Sequence, residues 1–118
     1  MRRKINQAQG QEAIQAYLDG NPSSDQLATA VRFLLEELGT RHPGNSVEVR
    51  IPPFGAVQCI EGPSHSRGTP ANVVETDATS WIELALGSNT FEQLLEEGKL
   101  SASGNRSDLA GLFPIFIP

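Results

Sequence analysis

One cysteine and two histidines leave little room for metal or thiol chemistry. Cys59 has no partner for an internal disulfide. His42 and His65 form no H-x-x-x-H pair, and with a lone cysteine they cannot build a usual zinc set. No G-x-x-x-x-G-K-[ST] loop is present, and Gly62 and Gly68 complete no related phosphate-binding motif. Neither metal nor cofactor is expected. Positive charge is also scarce: 9 Lys and Arg against 14 Asp and Glu leave a net charge of -5, the wrong sign for gripping a phosphate backbone. Nucleic acid is therefore excluded as the expected partner. No stretch approaches the roughly 20 apolar residues of a membrane span. The basic opening Met1-Arg2-Arg3-Lys4 is followed by neither an apolar run nor a small-residue cleavage site. Without a secretion signal, Asn105-Arg106-Ser107 reads as a chance glycosylation sequon. The expectation is a cytoplasmic protein with no integral membrane segment.

What is present suits one domain over residues 1–118, with 1–22 forming an N-terminal helix and its connection. The first helix is expected from about Gln7 to Asp19, with Ala13, Ile14, Tyr17 and Leu18 on one side and Gly20-Asn21-Pro22 stopping it. A second begins at Ser23, where Ser23-x-x-Gln26 reads as a capping box. Leu27, Val31, Leu34, Leu35 and Leu38 make its apolar face, and Gly39 is the expected terminator.

After Pro43-Gly44 the period switches to two. Val47, Val49 and Ile51 alternate with Glu48 and Arg50, a half-buried strand. Pro52-Pro53-Phe54-Gly55 breaks it, and Ala56 to Ile60 returns as a hairpin partner. Gly62 to Pro70 reads as a loop and Asn72 to Thr76 as a third strand. Thr79 or Ser80 is the expected cap of a short helix carrying Trp81, Leu84 and Ala85 and ending at Gly87. Thr90-x-x-Gln93 is a second capping box, for a helix ending at Gly98. Lys99 to Ser103 fits a further strand, and Ser107 a cap for a last turn or two through Phe113. Helices, strands, then helices with one more strand give an α+β fold.

The stretch "HSRGTPANVVETDATSWIELALG" holds the residue types of an enzyme. His65 would serve as general base, Arg67 as anion clamp, and Glu75 or Asp77 as the partner acid. It has no recognised catalytic spacing. The competing reading is a polar sheet face of Glu48, Arg50 and Glu75, Asp77 near a helix start, and Trp81 in the core. Cys59 alternates with Val57 and reads as a buried structural thiol.

The segments "SVEVRIPPFGAVQCIEGP", "RGTPANVVETDATSWIELALG" and "EEGKLSASGNRSDLAGLFPIF", with the helix "AVRFLLEELG", carry a family likeness. From about Ala28 to Phe116 the chain resembles the bacterial sterol-carrier-like proteins, in particular their small stand-alone actinobacterial branch. The wider family pattern is matched at Glu75-Thr76-Asp77, Gly87, Gly98-Lys99-Leu100 and Ser103-Gly104. The two opening helices and compact loops depart from the animal sterol carriers. The resemblance implies a mainly antiparallel sheet of about four to five strands covered on one face by helices. It further implies an apolar cavity between the layers for an apolar small molecule or lipid, and no catalysis by the domain. Similar domains stand behind mycothiol-dependent isomerase-like domains, so an accessory role in small-molecule metabolism is the alternative, beside an enzyme using the His65 and Arg67 loop. Inward faces nominate Phe33, Leu34, Val57, Trp81, Leu84, Leu94, Leu109, Leu112 and Phe113 as the lining.

Overall fold

The computed structural model describes residues 4–62 and 72–118. The expected loop from Gly62 to Pro70, with His65 and Arg67, lies outside the described residues except for Gly62. Helix α1 spans Gln7–Leu18 and starts at Asn6, whose side chain accepts the Gln9 N–H at 2.8 Å. Helix α2 spans Ser24–Arg41. Its capping box closes both ways: Ser23 Oγ accepts the Gln26 N–H at 3.1 Å, and Gln26 Oε1 accepts the Ser23 N–H at 2.9 Å.

Gly39 does not end this helix. The last turn continues because Thr40 Oγ1 donates to the Glu36 carbonyl at 2.8 Å and Arg41 pairs with Glu37 one turn back. Termination falls at His42, followed by Pro43 and by Gly44 with a φ of 146°.

Strands β1 (Val47–Ile51) and β2 (Gly55–Cys59) form the expected antiparallel hairpin, with Val49 opposite Val57. Strand β2 starts and stops one residue earlier than its alternation suggested. Ile60 leaves it with a φ of 69°, and its carbonyl takes both the N–H and Oγ of Ser46 at 3.1 and 2.8 Å. Strand β3 (Val73–Thr76) lies parallel to β1, and β4 (Leu100–Ser103) lies antiparallel to β3. The order is β2-β1-β3-β4, so the sheet is mixed: four strands, with two of three pairings antiparallel.

One face of the sheet is apolar and inward: Val47, Val49, Ile51, Val57, Cys59, Val74 and Leu100 are all buried. The other presents Glu48, Arg50, Glu75 and Ser101. Helix α2 covers the inward face with Val31, Leu34, Leu35 and Leu38. Helix α1 lies on α2, burying Gly10, Ala13 and Ile14. Glu36, buried on α2, accepts the backbone N–H groups of Lys4 and Ile5 at 3.1 Å each, which ties down the approach to α1. At the other end of α1, the Tyr17 hydroxyl is pushed above its usual pKa by burial and then by the charges of Glu83 and Asp77.

Helix α3 (Ala78–Leu86) is capped by neither Thr79 nor Ser80. Asp77 caps it, accepting the Ser80 N–H at 2.8 Å and the Ser80 hydroxyl at 2.9 Å. Strand β3 ends at Thr76, and a carboxylate at the next residue is a stronger cap than a hydroxyl further in. Gly87 ends α3 in the left-handed region, as expected. Helix α4 (Phe91–Glu96) is capped by Thr90 Oγ1, but the Thr90 N–H goes to Asn89 Oδ1 and leaves the box half made. Ser107 does not cap the final turn, Ala110–Leu112. Its hydroxyl turns back to the Gly104 carbonyl, and Asp108 accepts the Ala110 N–H instead.

The cap correction has a measurable consequence. Asp77→Ala should cost about 1 kcal/mol of stability, whereas Thr79→Ala should stay within about 0.5 kcal/mol of the parent. Urea denaturation of the two variants checks it, and equal losses would return the cap to Thr79.

Candidate functional site

The nine nominated residues fall in or against one apolar cluster. Phe33 and Leu34 on α2, Trp81 and Leu84 on α3, and Leu94 on α4 are buried to within 1% of complete. Leu109 is buried ahead of the last turn, while Leu112 and Phe113 are half-buried on it. The space between α2, α3 and the sheet is therefore occupied by side chains.

Trp81 anchors the cluster. Its indole N–H donates to the Val31 carbonyl on α2 at 3.2 Å, which satisfies the one polar group the buried ring carries. Phe113 meets it edge to face, with ring centroids 5.8 Å apart. A second edge-to-face pair joins Phe33 to Phe116 at 5.5 Å. Both partners come from the C-terminal segment, which is held to α3 by the Ile115 and Phe116 N–H groups donating to the Ala85 carbonyl at 2.9 and 3.3 Å.

Under this segment lies a pocket of about 120 Å³ between α3, α4 and the last turn. Leu84, Phe91, Ala110, Phe113 and Pro114 make its apolar wall, and Asn89, Thr90 and Glu92 its polar rim. Leu84 and Phe113 are the nominated residues that line it. Val57 is not brought here. It faces a separate open depression of about 340 Å³ beside Gly39 and Pro43, at the β2 edge of the sheet.

Of the residues of the enzyme reading, Glu75 and Asp77 are among the described positions. Glu75 is exposed on the outer sheet face, opposite Arg50 in register, and Arg50 is ion-paired with Glu48. Glu75 and Asp77 share an open polar depression of about 480 Å³ with Lys99, but both Asp77 oxygens are engaged at the α3 cap. His65 and Arg67 lie outside the described residues. No group of three or more His, Cys, Asp or Glu suited to a metal ion occurs among the described residues. No helix among them is long and apolar enough to cross a membrane. Cys59 is buried in the sheet's inward face, and burial pushes its thiol up to about 11, away from reactivity.

Residues 23–115 match the family described as bacterial SCP ortholog. The chain belongs to this bacterial sterol-carrier-protein-like family. No curated protein matches it. The family match opens at Ser23, the cap of α2, and closes at Ile115, so α1 lies outside it while the segment over the small pocket lies almost wholly inside.

In this sterol-carrier-like chain, sequence periodicity located the inward faces, but the nominated lining leaves out Phe91 and Pro114 at the pocket and Ile115 and Phe116 beside it. The signal available for the last three was the left-handed Gly87. A Cβ there would sit 3.2 Å from Pro114, and the φ of 90° independently disfavours a side chain, so glycine suits the place where the C-terminal segment meets the end of α3.

Trp81→Ala should cost about 3–5 kcal/mol, since it removes a buried ring together with its hydrogen bond to the Val31 carbonyl. Chemical denaturation beside the parent protein measures it, and a loss below about 1 kcal/mol would move Trp81 out of the core.

Cys59 supplies a pH test. At pH 8 a thiol with a pKa of about 11 is about 0.1% ionised, so Ellman's reagent should react at least about 100-fold more slowly with native than with denatured protein. The folded value is raised above the ordinary 9, so the stabilising contribution is whole below pH 9 and lost as pH climbs toward 11. Replacing the thiol, as in Cys59→Val, should flatten that part of the urea-midpoint profile.

Proposed function

We propose that the protein binds and carries an apolar small molecule or a lipid-like chain without transforming it, as a single domain working in the cytoplasm. Membership of the sterol-carrier-like family supports carriage. The observation that supports a site here is the apolar pocket between Leu84, Phe91 and Phe113, bordered by a C-terminal segment whose described backbone attachment to α3 is one shared carbonyl.

The volume sets the mode of binding. An apolar cavity of about 150 Å³ accommodates a benzene ring, and drug-sized ligands occupy roughly 300–1,000 Å³. The pocket of about 120 Å³ holds only the end of an apolar chain or a small ring. A longer ligand enters as Phe113 and Phe116 withdraw from Trp81 and Phe33, exchanging two aromatic contacts for contact with the ligand. The nominated residues Phe33, Leu34, Trp81, Leu84, Leu94, Leu109, Leu112 and Phe113 then become its walls, with Val57 at the far strand. Asn89 and Thr90 stand at the rim to meet a polar end group.

The test is titration of delipidated protein with N-phenyl-1-naphthylamine, an uncharged apolar fluorophore, alongside native mass spectrometry. Saturable one-to-one uptake is expected. Phe113→Asp should weaken it by at least about tenfold, because a carboxylate in the apolar wall has no partner. No saturable uptake by the parent protein, or equal uptake by the folded Phe113→Asp variant, overturns the reading.

A further inference from the structure

The helix that lies outside the family match shares one ring with the segment over the pocket. On its α1 side, Phe33 meets Gly10 so closely that a Cβ built on Gly10 would lie 2.3 Å from Phe33 Cδ1. Phe116 meets the same ring edge to face, with centroids 5.5 Å apart. Phe33 has no solvent exposure, so the ring cannot shift into water. Close-packed interiors pass such displacements to whatever lies next to them.

Helix α1 lies as an outer layer on α2. Its buried residues are Gly10, Ala13 and Ile14, and its approach is pinned by the Glu36 carboxylate at Lys4 and Ile5. Outer elements of a fold can open locally as cooperative units while the central strands stay closed. The described backbone hold of the C-terminal segment on α3 is one carbonyl, that of Ala85, shared by Ile115 and Phe116.

We infer that docking of α1 and closure of the C-terminal segment are coupled through Phe33: release of α1 frees the ring, and the freed ring loosens Phe116, which continues the segment whose Phe113 and Pro114 line the pocket. The bistable element is the pair of docked ends, and the physical link is one side chain. The use of this coupling as a gate for ligand rests on the carrier reading above; the coupling itself does not.

Amide hydrogen exchange of the full chain tests it without ligand. Gly10→Ala disturbs the seat, while alanine favours helix more than glycine, so any release of α1 comes from the clash and not from a weakened helix. Exchange at the Ile115 and Phe116 amides should rise at least about tenfold together with the α1 amides, while Val49 and Val74 in the central strands stay slow. Glu36→Gln, which weakens the anchor of the residues leading into α1 while leaving Gly10 and Phe33 unchanged, should shift the same C-terminal amides in the same direction. In a Phe33→Leu background, Gly10→Ala should add less than about twofold at those amides.

Faster exchange confined to α1 overturns the coupling, as does a parallel rise in the central strands, which would report general destabilisation. Uptake of N-phenyl-1-naphthylamine by Gly10→Ala is followed separately. If neither parent nor variant binds the probe, the carrier reading fails while the exchange data still decide the coupling. Faster uptake by the variant, with the C-terminal amides exchanging faster, supports the gate.

Discussion

Helix α2 must be covered on more than one side, and the rest of the molecule is arranged to meet that demand. A surface helix buries one stripe of its circumference. Here Ala30, Val31, Phe33, Leu34, Leu35 and Leu38 are all buried, a set that includes neighbouring positions and so wraps around the helix. The sheet takes one flank, α3 another, and α1 lies across what remains. Trp81 ties α3 to α2 through the Val31 carbonyl, and Phe33 receives both Gly10 and Phe116. Each covering element brings its own apolar residues, which is how a chain of 118 residues with modest aromatic content builds one connected core.

The chemistry of the described residues is quiet by construction. Asp77 spends both oxygens on a helix start, Glu36 spends one on two backbone donors, and Cys59 sits where its thiolate is disfavoured. Groups committed in this way serve the fold before any other chemistry.

Local signals that depend on neighbours a few residues apart were legible. The reciprocal bonds of Ser23 and Gln26, the alternation of β1 and the left-handed Gly87 each follow from one short window of sequence. What escaped depended on distant partners. Strand alternation shows which face turns inward but not which strand lies alongside, so the parallel pairing of β1 with β3 was hidden. Gly39 carried the ordinary stop signal, and the Glu37–Arg41 and Thr40 contacts overrode it. Asp77 continued the alternation of Val73 and Glu75, which masked its role as a cap. The burial of Glu36 was beyond reach because its partners are backbone groups 31 and 32 residues away. At the candidate site, helical spacing found Leu84 and Trp81, but Pro114, Ile115 and Phe116 follow no period.

The C-terminal segment is not a strand, and this bears on association between molecules. Both edges of the sheet, β2 and β4, are short, and β4 alternates serine with apolar residues. Long, flat apolar edges are what recruit further chains into β structure. Were the pocket roofed by an edge strand, each opening would bare a row of backbone donors and acceptors. The described attachment of Ile115 and Phe116 to α3 ends on one carbonyl, that of Ala85. Parting that junction would uncover aromatic side chains but no ladder for another chain to join, so it would not template a polymer.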